Sequence, residues 1–369
     1  MWQAQGLYSK YVLRTPLILY GNEAVKELYN YPCSRIAVIH GSSFSDHDLF
    51  NMAFRKKTAK FINCSWKSEP DLNGLKGTLN ELEEFMPDII IAIGGGSIID
   101  GTKLCRLLYE IPYFDFSSGR IDGNNLKTKF IAIPTTIGSG AEVSSAAVYV
   151  EDNCKQMIVL HELQPDVVVY DPRYVEKTPI KILCESGLDA MSHILEGYVS
   201  NIDNRLVENQ VENGLYCLRK ELSNVITDQP VDYLMLQYAG YIGGVVQNHC
   251  IVGAAHAIAH QLSQYSFGHG EAVALLIGAV VRTNSKVCND KYQKLMGRSG
   301  FNNVDELISF ISEVCDKSGI SKRREELKEL LISKENDETF MNNIREDRGG
   351  KGNPVELSDD YLKEVFRSI

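Results

Sequence analysis

The chain has 369 residues, 23 % of them charged, and a formal net charge of −10 at pH 7, with an isoelectric point near 5.4. That acidity excludes the concentrated Lys and Arg of a nucleic-acid or anionic-membrane surface. No apolar run is as long as a membrane span, and Met1-Trp2-Gln3-Ala4-Gln5 lacks a charged-then-apolar leader, so a soluble cytoplasmic protein is expected.

The length admits two domains with substantial cores. The nine cysteines are widely scattered and contain no CxxC pair, which reads as reduced thiols filling core positions. Residues 11–20 read as extended, Gly21 closes that segment, and a helix is expected from about Glu23. Residues 35–40 form a short apolar run suited to a buried parallel strand, leading into Gly41-Ser42-Ser43. Helical periodicity over 73–86 precedes a second apolar run, residues 88–93, so strand, helix and strand make one crossover unit of a doubly wound sheet.

That second run meets Gly94-Gly95-Gly96-Ser97 and then a helical pattern. Glycines let backbone N–H groups approach an anion, and the helix adds its positive end, so phosphates are expected here. The spacing is not GxGxxG. A third strand, 129–134, ends in Thr135-Thr136-Ile137-Gly138-Ser139-Gly140-Ala141-Glu142-Val143-Ser144, rich in hydroxyls at a strand C-terminus where ligands bind in open α/β sheets. Residues 167–170 supply the last strand, and Asp171-Pro172 marks a domain edge, giving an α/β nucleotide-binding domain over 1–176.

From Pro179 strand signals nearly vanish, and helical periods cover about 180–200, 204–225, 231–247, 251–265, 271–285, 304–317 and 324–333. A charged stretch, 335–347, reads as a solvated loop, the glycine-rich 347–354 as a further loop, and 359–367 as a short final helix. Residues 177–369 therefore form an all-helical domain. It carries Asp189 and His193 four apart, His256 and His260 four apart, and His269 soon after. Residues i and i+4 share one helix face, so each pair can point into one site. Histidines set among Ala, Val, Ile and Leu need partners, and a shared metal would satisfy them. Three imidazoles and one carboxylate suit Fe2+ or Zn2+ and suit calcium or magnesium poorly.

Gly94-Gly95-Gly96-Ser97-Ile98-Ile99-Asp100, the 134–144 stretch, Asp189-x3-His193, His256-x3-His260 and His269-Gly270 together resemble the iron-containing (group III) alcohol dehydrogenases, in the same order from about residue 12 to 366. The resemblance implies an N-terminal doubly wound nucleotide-binding domain, an all-α metal-binding domain, catalysis in the cleft between them, and a homodimer. It implies Asp189, His193, His256 and His269 as metal ligands, with His260 near the substrate. It also implies Gly95, Gly96 and Ser97 at the pyrophosphate, Asp100, Thr135, Thr136 and Ser139 along the nicotinamide ribose and ring, and Lys155 near the nicotinamide. The reaction expected is hydride transfer between NAD(P)H and a small, polar aldehyde or alcohol, with the metal as Lewis acid and His260 relaying the proton.

In NAD-preferring members of this family an Asp matches Gly41, repelling a 2′-phosphate. Here Gly41-Ser42-Ser43 carries no such charge and offers two hydroxyls, so NADP(H) is expected over NAD(H). Two departures stand out. His260-Gln261-Leu262-Ser263 lacks the proline and glycine that often follow the relay histidine. His269-Gly270-Glu271-Ala272-Val273-Ala274 also resembles the metal-binding stretch of dehydroquinate synthases, so a metal- and NAD-dependent carbocycle-forming lyase is the alternative. The Arg and Lys residues that group uses for a phosphorylated sugar acid are missing from 100–160.

Overall fold

A computed structural model describes the chain apart from residues 1–12, 42–43, 45–56, 65, 67–68, 120, 122–125, 152–153 and 203. It divides into two compact units, whose described parts are essentially residues 14–178 and 179–369.

In the first unit six strands form one parallel sheet: β1 (Leu17–Tyr20), β2 (Arg35–His40), β3 (Thr58–Asn63), β4 (Ile89–Gly94), β5 (Lys129–Pro134) and β8 (Val167–Tyr170). Their order is β1-β8-β5-β4-β2-β3. Every neighbouring pair runs parallel. The inner strands read as unbroken apolar runs because both faces are covered. Ala37, Ile39 and Ile90 pack into one layer of core, whereas Ile36, Val38, Ile89, Ile91 and Ile93 pack into the other. Helices α1 (Lys76–Phe85) and α2 (Gly96–Glu110) lead into and out of β4, and a hairpin, β6 (Ala146–Glu151) with β7 (Cys154–Val159), stands apart from the sheet.

The chain moves outward from β2 to β3, returns past β2 to β4, and then continues in the other direction through β5 and β8. The strand order reverses between β2 and β4. Such a switch point opens a crevice at the C-terminal strand ends, where Gly41 and Gly94–Gly96 lie.

The second unit is helical: α3 (Ile180–Val199), α4 (Arg205–Ile226), α5 (Tyr233–Cys250), α6 (Ala254–His260), α7 (His269–Ser299), α8 (Val304–Ser318), α9 (Arg324–Lys334), α10 (Glu338–Glu346) and α11 (Asp359–Ser368). All of α3 from Gly187 to Val199 is buried, so its polar side chains Asp189, Ser192, His193 and Glu196 must find partners inside the protein. Gly243 of α5 allows close approach, since a Cβ there would lie 2.9 Å from the Ala190 carbonyl oxygen of α3.

The α/β-then-all-α architecture agrees with the expectation; several elements differ. The helix expected from Glu23 is a 3₁₀ helix, Ala24–Asn30. Strand β3 interrupts the simple strand-helix-strand unit, because β2 is flanked by both β3 and β4. The helix expected over 271–285 runs on to Ser299 through a non-helical residue at Cys288. Residues 335–347 are not a solvated loop: most of them, Glu338–Glu346, form α10, whose apolar face buries Phe340, Met341 and Ile344. Among the described residues no helix is long and apolar enough to cross a membrane.

Candidate metal and nucleotide sites

Helix α3 contributes Asp189 and His193 on one face, α6 contributes His256, and His269 is the first residue of α7. One carboxylate oxygen is their common focus. Asp189 Oδ1 lies 3.5 Å from His256 Nε2, 3.7 Å from His269 Nε2 and 4.0 Å from His193 Nε2. Asp189, His256 and His269 each place one donor atom within 4.8 Å of the others. His193 stacks on His256 with ring centroids 4.7 Å apart.

The second partner of His256 fixes which nitrogen faces the cluster. Glu196 Oε2 accepts from His256 Nδ1 at 2.6 Å, and Glu196 Oε1 accepts the Ala255 N–H at 2.7 Å. A carboxylate here only accepts, so Nδ1 carries the hydrogen and Nε2 turns a lone pair inward. Asp189 Oδ1 and His256 Nε2 are both buried and make no aligned hydrogen bond. Two acceptors facing each other in the protein interior is a costly arrangement unless a cation joins them. A tetrahedral ion with bonds of about 2.0–2.2 Å would set its ligand atoms roughly 3.4 Å apart, close to the separations here. The donor set therefore fits Fe2+ or Zn2+.

The protonic state of the metal-free cluster points the same way. Burial would raise the Asp189 carboxyl, but His193, His256 and His269 hold it well below the usual range. Burial pushes His256 down, yet the negative charges of Asp189 and Glu196 beside the ring outweigh it and lift the ring to about 9. The site demands positive charge.

His260, last residue of α6, stands apart from that focus. Its ring lies parallel to His269 with centroids 5.5 Å apart, and its Nδ1 is 2.9 Å from Asp347 Oδ2. Glu271, within the stretch shared with dehydroquinate synthases, is committed to Lys181 and Arg323, each at 2.9 Å.

In the first unit the loops after β4 and β5 meet. A Cβ on Gly95 would lie 3.3 Å from Thr136 Oγ1, and one on Gly96 would lie 2.6 Å from Ser139 Oγ. Thr135 N–H donates to the Gly94 carbonyl at 3.1 Å. Ser97 is in the first turn of α2, whose N-cap is Gly95, a residue with no side chain to block the helix end. Gly41 sits beside this turn; a Cβ there would meet Ile98 Cδ1 at 3.4 Å. Ser42 and Ser43 lie outside the described residues.

Two residues expected at the nucleotide have structural commitments. Asp100 Oδ1 accepts from Lys103 Nζ at 3.0 Å and its Oδ2 accepts the Val148 N–H at 3.1 Å. Lys103 is itself fully buried, so this pair joins α2 to the hairpin. Lys155 Nζ lies 2.5 Å from Glu69 Oε1.

Sequence reasoning missed Glu196, Asp347 and Lys103. Glu196 had a signal: it is a lone carboxylate in the apolar run Ile194-Leu195-Glu196-Gly197-Tyr198, where a charge needs a partner. Asp347 had none, because its neighbourhood is uniformly charged.

With this geometry in view, comparison with known proteins defines the class. The family described as "Iron-containing alcohol dehydrogenase" matches residues 16–172, and "Fe-containing alcohol dehydrogenase family, C-terminal" matches 183–369. The chain belongs to the iron-containing alcohol dehydrogenase family and is an NAD(P)-dependent alcohol oxidoreductase of that type. Among its relatives, an NADPH-dependent butanol dehydrogenase of Clostridium saccharobutylicum is 28 % identical over 375 residues, covering 95 % of this chain and 96 % of the relative. An alcohol dehydrogenase of Thermococcus barophilus is 27 % identical over 314 residues, covering 81 % and 82 %. The iron-containing alcohol dehydrogenase structure from Thermococcus thioreducens superposes with a TM-score of 0.86 at 25 % identity, covering 96 % of this chain and 98 % of that one. The family resemblance carried by the motifs is thereby borne out.

Proposed function

We propose that the protein reduces a small, polar aldehyde to its primary alcohol with NADPH, using one divalent metal ion held by Asp189, His193, His256 and His269. The observation that carries this reading is the convergence of three imidazole nitrogens on the single oxygen Asp189 Oδ1. The balanced reaction is aldehyde plus NADPH plus a proton, giving alcohol plus NADP+.

A bound Fe2+ or Zn2+ supplies positive charge that polarises the aldehyde carbonyl, and NADPH supplies the hydride. The protein's own groups do the rest. Asp189 and the three histidines hold the cation with their donor atoms inward, and Glu196 keeps His256 in the right tautomer. His260 gives a proton to the oxygen that gains charge as hydride adds, and recovers it from solvent, to which its side chain is 32 % exposed.

The Gly94–Gly96 turn receives the pyrophosphate on backbone N–H groups at the start of α2, with Thr135, Thr136 and Ser139 beside it. The preference for NADPH over NADH rests on Gly41, which presents no carboxylate to a 2′-phosphate, and the C. saccharobutylicum relative is itself named as NADPH-dependent. Asp100 and Lys155, each already held by an ion pair, belong to the same nucleotide site. A homodimer is supported by β1, which among the described residues is an edge strand paired with β8 alone and leaves Leu17 59 % and Tyr20 73 % exposed.

The test is NADPH oxidation by protein loaded with Fe2+ or Zn2+ across a panel of small aldehydes, with and without prior chelation. Turnover that chelation abolishes and metal restores is expected. No oxidation of NADPH with any aldehyde would overturn the reading. Product formation without net change in nicotinamide absorbance would instead favour the carbocycle-forming route.

A further inference from the structure

The glycine-rich stretch Asp347-Arg348-Gly349-Gly350-Lys351-Gly352-Asn353 has no part in the function so far described. In the structure it is a strap packed onto α6 and the residues just before it. A Cβ on Gly352 would lie 2.2 Å from both the Val252 carbonyl oxygen and Ile251 Cγ2. One on Gly350 would lie 3.1 Å from Ala257 Cβ, and one on Gly349 would lie 3.0 Å from Val252 Cγ2. At Gly352 the space admits glycine only, so backbone there fixes the strap against the residues that lead into α6. Its first residue is fixed with it. Asp347 Oδ1 accepts the Gly349 N–H at 2.8 Å, and Asp347 Oδ2 lies 2.9 Å from His260 Nδ1. The carboxylate is only 14 % exposed.

We propose that Asp347 is a positioning residue for the proton relay, holding His260 in the tautomer that keeps Nε2 available to the substrate oxygen. The inference rests on the relay role proposed above for His260. Both Asp347 oxygens act as acceptors, one for the strap's own N–H and one for the ring. His260 therefore carries its hydrogen on Nδ1, and Nε2 is the nitrogen left to exchange a proton. Asp347 touches neither substrate nor cofactor; it acts through the imidazole. The arrangement repeats, at the relay, what Glu196 does for His256 at the metal.

An isosteric change separates this role from a merely structural one. Asp347→Asn keeps volume and shape but has one acceptor oxygen, which the Gly349 N–H claims. The amide NH2 then faces His260 Nδ1 and selects the other tautomer. Zinc-loaded wild type and Asp347→Asn, both labelled with 15N-histidine, are compared by NMR and by steady-state kinetics. The neutral His260 ring is expected to carry hydrogen on Nδ1 in the wild type and on Nε2 in the variant. kcat is expected to fall by roughly 100-fold, while the aldehyde KM stays within about twofold and zinc content is unchanged.

An Asp347→Asn protein with wild-type kcat and tautomer, in a background where His260→Ala abolishes turnover, would overturn the inference and leave the functional reading standing. Loss of zinc from Asp347→Asn would also overturn it, by assigning Asp347 to the metal cluster. Full activity of His260→Ala would remove the relay itself.

Discussion

At the candidate metal site, side chains from three helices converge on one carboxylate oxygen. At the C-terminal edge of the sheet the surface offered to a ligand is largely backbone, held open by the absence of side chains at Gly94, Gly95 and Gly96. The helical site is made of charge taken out of water and balanced by specific partners. The sheet site is made of close packing between two loops. The two regions therefore fail in different ways: the first through unpaired charge, the second through steric displacement.

Removing one donor tests the first mode. His256→Ala leaves Asp189 and Glu196 without their shared imidazole. Metal content by mass spectrometry is expected to fall to near zero, with kcat lower by about 1,000-fold or more, the equivalent of several kcal/mol of lost charge stabilisation. Glu196→Ala acts one bond further out and is expected to weaken metal affinity by about 10- to 100-fold. Metal retained in full by His256→Ala would break the comparison at its root.

Gly96→Ala tests the second mode. The added Cβ would lie 2.6 Å from Ser139 Oγ, so one loop must move. NADPH KM is expected to rise at least about tenfold, with about 1–3 kcal/mol of stability lost to overpacking and metal content untouched. Gly41→Asp is milder, because its Cβ meets Ile98 Cδ1 at a tolerable 3.4 Å. It should shift the ratio of kcat/KM values toward NADH by about tenfold through like-charge repulsion of the 2′-phosphate. An unchanged ratio would remove Gly41 from cofactor choice.

The smallest effect is on stability. Burial holds the His249 ring below its ordinary pKa, against a smaller opposite effect from its hydrogen bond to the Val245 carbonyl. The ring folds neutral. As pH falls below about 6.5, the unfolded chain takes up this proton first, so stability present at neutral pH is lost toward the folded-state pKa. Thermal melts of wild type and His249→Gln should diverge in slope below that pH, the variant losing less.

The inner strands were legible because burial on both faces writes itself as an unbroken apolar run, as in Ile89-Ile90-Ile91-Ala92-Ile93. Strand β3 was not: of Thr58-Ala59-Lys60-Phe61-Ile62-Asn63 only Ile62 is buried, as expected at a sheet edge. The hairpin β6–β7 escaped for a related reason, since few of its residues are buried: Ala147 and Tyr149 in β6, and Ile158 in β7. The candidate metal ligands stood out as ligating types at close spacing, Asp189 and His193 four apart, with His256 opening a second such pair and His269 soon after. The lone charge of Glu196 in an apolar run was a signal, but its partner was not legible, nor that of Asp347, because the two carboxylates meet their histidines across 60 and 87 residues, separations that no local spacing reports.

The pairing of β1 with β8 reaches beyond the finished structure. Leu17, near the beginning of the sequence, finds its partner at Val167, near the end of the first unit, and the Arg14 carbonyl is met by Gln164. During synthesis, β1 must wait without its neighbour until residue 170 has left the ribosome, while β2, β3 and β4 can already associate. Contacts of such sequence separation close late, so this edge strand completes the first unit during synthesis. A translational pause once Val167–Tyr170 have cleared the ribosome would give that closure time before the helical half emerges.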